Sequence, residues 1–129
     1  MNNPALHQHA QNEAYSRSFD ERCRLLELRR QQAHEQGIPA LKQLWQVAQG
    51  DSGQAQVIAR FLLSCYNGTR FPFPLTDLRL LESALFDACL CVLRMDWQPE
   101  WDVHEYFADG GRLFEQLARH WKFEGDDDA

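Results

Sequence analysis

Apolar residues recur along this chain at helical spacing, and no alternating stretch is long enough to make a strand. From Glu13 to Glu35, Tyr15, Phe19, Cys23 and Leu26 follow at steps of four, four and three, which predicts a helix with one apolar stripe. Gly37 reads as its stop and Pro39 as the first turn of a second helix over about 39–49, with Leu41, Leu44, Trp45 and Ala48 inward. Asp51 and Ser52 are candidate N-caps for a third helix over about 53–66. Its inward set is Val57, Ile58, Phe61, Leu62 and Cys65, and Asn67-Gly68 supplies a left-handed stop.

Thr69-Arg70-Phe71-Pro72-Phe73-Pro74 is held out of helix, because each proline pushes the residue before it into extended backbone. Thr76 then caps a fourth helix over 77–95, with Leu75 placed to pack on Leu80 as a hydrophobic staple. Leu78, Leu81, Leu85, Phe86, Cys89, Val92, Leu93 and their neighbours cover well over half of its circumference. That breadth predicts a helix wrapped by the others. Trp97 to Trp101 is a loop, Asp102 and Glu105 have capping-box spacing for a short helix through Phe107, and Asp109-Gly110-Gly111 breaks it. A last helix over about 112–122 turns Leu113, Phe114, Leu117, Ala118 and Trp121 to one side. The expected architecture is all-α, a bundle of about five to six helices around a central apolar helix at 77–95. One helical domain over 13–123 lies between a flexible arm at 1–12 and a disordered acidic tail at 124–129.

With 129 residues, 44% hydrophobic and 25% charged, the chain has ordinary globular composition and enough length for one core without a disulfide or metal. It contains no run near the ~20 apolar residues that a membrane-spanning helix needs. Its first residues lack the basic start and apolar run of a secretory signal. Cys23, Cys65, Cys89 and Cys91 fall inside helical patterns and read as free thiols of a reducing, cytoplasmic compartment. Net charge is −6 and unevenly spread: residues 1–95 carry ten basic and nine acidic side chains, residues 96–129 three and ten. The acidic end repels phosphate and suits a basic partner.

Catalytic and metal-binding patterns are missing. No two of His7, His9, His34, His104 and His120 have the spacing of a helical metal pair, and the side chains of Cys89 and Cys91 diverge by roughly 200° on a helix. Ser64-Cys65 has no nucleophile elbow. Glu82 and Asp87 diverge by roughly 140°, and His104 and Glu105 are adjacent and face different ways. Five bases and five acids interleave along the first helix, but Arg22, Arg29 and Arg30 fall towards one flank beside the apolar stripe, a flank that suits a weak nucleic-acid contact. Phe71, Phe73, Trp97 and Trp101 occupy the connections at both ends of the fourth helix, either as plugs of the bundle or as anchors for a partner.

Beyond Arg60, the runs Asn67-Gly68-Thr69-Arg70-Phe71-Pro72-Phe73 and Leu93-Arg94-Met95-Asp96 make the second half of the chain resemble a family of small uncharacterised bacterial proteins carried on plasmids and integrative mobile elements. The resemblance implies an accessory protein of mobile DNA and assigns no functional residues. The residues themselves lead to a non-enzymatic, cofactor-free helical module that binds another protein. The alternatives are an acidic decoy of a nucleic-acid-binding or defence complex, acting through Asp102, Glu105, Asp126, Asp127 and Asp128, and weak nucleic-acid binding through the first helix.

Overall fold

In the computed structural model, which describes residues 4–123, the chain is all-α. It contains α1 (Pro4–Ala48), α2 (Gly53–Tyr66), a 3-10 helix (Leu75–Leu80), α3 (Ser83–Trp97), a second 3-10 helix (Val103–Tyr106) and α4 (Gly110–Trp121). The chain divides into two units, residues 1–32 and 33–129. Asp126, Asp127 and Asp128, together with the rest of the expected tail, lie outside the described residues.

In the first unit every residue from 4 to 32 is helical and exposed. The helix starts at Pro4 rather than near Glu13, so the described part of the expected arm, residues 4–12, is helical. Residues 4–12 have no apolar rhythm, so nothing in the pattern marked them. Their helix is sustained locally, with Pro4 suited to a first turn and side chains bridging positions four apart. Gln8 Nε2 donates to Asn12 Oδ1 at 3.1 Å, and His9 Nε2 lies 2.9 Å from Glu13 Oε1.

In the second unit the expected break at Gly37 is absent, and α1 runs on through Pro39. Proline here removes one helical N–H donor, yet packing outweighs that loss. Gly37, Ala40, Leu41, Leu44 and Ala48 are all buried. Gly37 is small because α3 lies against it: a Cβ at this position would be 2.6 Å from Met95 Cβ and 2.7 Å from its sulfur.

Ser52 caps α2, its Oγ accepting from the Ala55 N–H at 3.0 Å. At the other end Asn67 is extended, with φ −156°, and not left-handed. Its Oδ1 accepts from the Arg70 N–H at 3.2 Å and its backbone oxygen from the Phe71 N–H at 3.0 Å, so the chain curls inward.

The apolar stretch 77–95 is not one helix. Leu75–Leu80 is a 3-10 turn with Leu75 and Leu80 both exposed, so the expected staple does not form. Leu81 is extended and Glu82 takes the N-cap position of α3. The side chain of Gln54 on α2 intercepts the Glu82 N–H, its Oε1 accepting at 2.8 Å, and this N–H would otherwise continue the helix. α3 buries one face, formed by Leu85, Ala88, Cys89, Val92 and Met95, and is not wrapped on all sides.

α4 closes the core with Phe114, Leu117 and Ala118. The Phe114 ring stacks on Trp45 at a centroid distance of 5.0 Å and meets Tyr66 at 5.3 Å, Phe107 at 5.9 Å and His104 at 6.5 Å. Trp121 Nε1 donates to the Ala48 carbonyl at 3.3 Å, tying the end of α4 to the end of α1. Asp109 enters α4 in the left-handed region, and Gly110 must be glycine, since a Cβ there would stand 1.6 Å from the His104 carbonyl oxygen.

Gly37→Ala is expected to lower stability by about 1–3 kcal/mol through overpacking, against a gain of only about 1 kcal/mol in helix propensity. In urea denaturation, Met95→Ala in the same chain should recover part of that loss, so that the double variant costs less than the sum of the singles. Gly110→Ala meets backbone rather than a flexible side chain, and is expected to leave no cooperative unfolding transition.

Candidate protein-interaction edge

Phe86, Leu90, Leu93 and Trp97 form a second apolar row on α3, roughly 130° around the axis from the buried one. Phe86 and Leu90 are half-buried, Leu93 is exposed, and Trp97 is 78% exposed. Leu90, Leu93 and Trp97, with Arg94 and Asp96, line a shallow depression of about 440 Å³. Burial, reinforced by the nearby Asp102 carboxylate, pushes the Asp96 carboxyl up to about 6.

Beyond α3 the chain turns and is pinned to α1. Glu100 Oε2 lies 3.2 Å from His34 Nε2, the same nitrogen is 3.3 Å from the Tyr106 hydroxyl, and the Trp101 ring rests on Tyr106 at 5.3 Å. Trp101 remains 53% exposed. Asp102 and Glu105 form the expected capping box, Glu105 Oε1 accepting from the Asp102 N–H at 3.0 Å. Both side chains face solvent. Residues 96–105 therefore present four carboxylates, from Asp96, Glu100, Asp102 and Glu105, beside two exposed indoles. Carboxylates and the faces of indole rings both attract guanidinium and ammonium groups.

The four aromatic residues singled out in the sequence separate cleanly. Phe71 is 2% exposed and belongs to the core, so it is no surface anchor, whereas Phe73 is half-buried and packs edge-on against Phe61 at 5.7 Å. The inward curl at Asn67 carries Phe71 into the core, and the Arg70 guanidinium covers its outer face at 4.7 Å. Trp97 and Trp101 stay outside. Arg22, Arg29 and Arg30 are exposed on the first unit's helix, Arg30 with a 4.0 Å contact to Glu27. His34 was not visible as a site residue in the sequence, because its partner Tyr106 lies 72 positions away and only the fold joins them. Leu90 and Leu93 did leave a signal, their helical spacing from Phe86 and Trp97, but in a helix apolar over most of its surface that spacing does not separate a free row from a packed one.

Other polar clusters hold the fold together. Arg70 grips Glu115 with both terminal nitrogens, Nη1 to Oε2 at 2.7 Å and Nη2 to Oε1 at 2.9 Å, while the Tyr66 hydroxyl donates to Oε2 at 2.6 Å. Those bonds, from Arg70 first and Tyr66 second, hold the Glu115 carboxyl below its ordinary range. Burial pushes the Cys65 and Cys89 thiols up to about 12. Among the described residues no three His, Cys, Asp or Glu side chains are grouped to hold a metal ion, and no helix is long and apolar enough to cross a membrane.

These features define a small all-α domain built on an aromatic core with an acidic, tryptophan-bearing edge. The chain belongs to DUF7673, a family of unknown function whose model matches residues 38–122. The match reaches further towards the N-terminus than the resemblance noted from Arg60, taking in the last turns of α1. No curated protein and no solved structure matches the chain.

Acrylamide is expected to quench Trp97 and Trp101 strongly and Trp45 weakly, so a W97F/W101F double variant should lose most of the quenchable emission. For Asp96 the folded carboxyl titrates above its unfolded range, near 4, so the native state binds the extra proton. The stability this contributes is complete below about pH 4 and is lost as pH rises through about 6. Asp96→Asn should therefore raise the Tm at pH 7.5, with the gain vanishing at pH 4. Glu115 has the opposite sign: its contribution is present above the ordinary carboxylate range and disappears as pH falls through its lowered folded value. The destabilisation caused by Glu115→Gln, about 1–3 kcal/mol at neutral pH, should shrink on acidification.

Proposed function

We propose that this protein is a non-enzymatic interaction module that takes a basic, apolar-striped segment of another protein on the edge formed by residues 90–105. The observation that supports the reading is the exposure of Trp97 and Trp101 among four carboxylates, on a segment fixed to the core through Glu100, His34 and Tyr106. Large aromatic side chains dominate the energetics of protein interfaces, and a pinned edge loses little entropy when it is covered. An arginine or lysine from the partner gains an indole face and a carboxylate together, while leucines or aromatics occupy the depression beside Leu93.

The resemblance to proteins of plasmids and integrative elements suggests the setting, an accessory protein of mobile DNA working in the cytoplasm. In that setting a basic nucleic-acid-binding groove of a host or defence protein is a fitting target, since an acidic edge offers it the sign of charge that phosphates do.

Titrating the full chain with a helical peptide that carries an arginine-flanked leucine and phenylalanine row, and with its glutamate counterpart, tests the reading. The basic peptide should bind and the acidic one should not, with affinity falling as salt rises. A W97S/W101S variant should bind at least about tenfold more weakly. Equal binding of both peptides, or no change in the double variant, would refute it.

A further inference from the structure

The chain itself contains a segment of the kind this edge is built to hold. On the helix of residues 4–32, Tyr15, Phe19 and Leu26 lie within about 40° of one another around the axis, and each is more than half exposed. The charged residues around that row are not evenly placed. Arg22, Arg29 and Arg30 fall within roughly 75° of its centre, whereas Glu13, Asp20, Glu21 and Glu27 all lie at roughly 85° or more. The exposed face is thus aromatic, aliphatic and basic, and the acids occupy the other side.

We propose that this face docks on the edge of residues 90–105 of a second copy of the chain, an inference that rests on the reading of that edge as a binding site. The two surfaces are complementary in charge and in kind. Three arginines meet Asp96, Glu100, Asp102 and Glu105, and the Tyr15, Phe19 and Leu26 row meets Leu93 and Trp97. The competing arrangement, in which two copies of the helix pair through the same row, sets the three arginines of one against the three of the other. Like charges brought together at a seam count against it. A contact between unlike surfaces links copies head to tail and closes into a symmetric pair where each copy both gives and receives a helix.

Sedimentation equilibrium on the full chain over roughly 1–200 µM, a range that spans micromolar affinities, tests the proposal. Self-association should appear at low salt and weaken as salt is added. R22E/R29E/R30E and E100K/E105K should each associate at least tenfold more weakly. A mixture of the two should associate again, because the acidic helix of the first meets two lysines on the edge of the second and the unaltered pair of surfaces also remains. W97S, at a side chain exposed enough to leave folding intact, should weaken association without a charge change, and circular dichroism checks that every variant keeps its helix content.

A wild-type chain that remains monomeric throughout overturns the proposal. So does association that R22E/R29E/R30E or F19E abolishes while E100K/E105K and W97S leave it unchanged, which would mean helix pairing with helix. So does a monomer that binds duplex DNA through the same three arginines. If the chain is monomeric but still binds the basic peptide on its edge, the self-docking fails and the interaction-module reading stands; if it neither associates nor binds the peptide, both fail.

Discussion

Phe114 has no exposure to water, and around it four other rings are arranged: Trp45 from α1, Tyr66 at the end of α2, and His104 and Phe107 from the connection before α4. One side chain thus joins every element of the second unit except α3 and the first 3-10 turn. Truncating a phenylalanine in such a position ordinarily costs about 3–5 kcal/mol, a large share of the stability of a small domain. The placement depends in turn on a backbone contact, the Gly110 Cα against the His104 carbonyl, which sets how α4 leaves the short 3-10 helix. The Arg70–Glu115–Tyr66 cluster then fastens the loop after α2 to the same helix.

Much of this was legible in the residues, and what was not has identifiable causes. The all-α class, the Ser52 cap, the Asp102–Glu105 capping box and the inward row of α4 were all written in local spacing, and local spacing decided them. Gly37 and Pro39 spoke locally for a break, but Met95 lies so close to Gly37 that packing overrides propensity. The stretch 77–95 is ambiguous in sequence because a helix apolar over most of its surface has two explanations: neighbours on all sides, or one packed face and one free face. Only the positions of the other elements separate them. The edge was half visible for the same reason. Trp97 and Trp101 could be named from the sequence, whereas the His34–Glu100–Tyr106 contacts that steady them join distant parts of the chain.

The two perturbed carboxyls show how differently this fold treats its acids. Glu115 is met by a guanidinium and a phenol, and is held ionised as part of the scaffold. Asp96 is partly covered, has Asp102 nearby, and carries its charge at a cost. A cation brought against such a group offsets that cost, so Asp96 is well placed to favour association.

The thiols impose a chemical hierarchy. Burial pushes the Cys65 and Cys89 thiols up to about 12, so both are held as neutral thiols at neutral pH. Alkylating reagents and peroxide attack the thiolate, so these two thiols are the slower ones to react, compared with the exposed Cys23. Cys23, exposed on the first unit's helix between Arg22 and Arg24, is the natural handle for a spectroscopic label that leaves the core untouched.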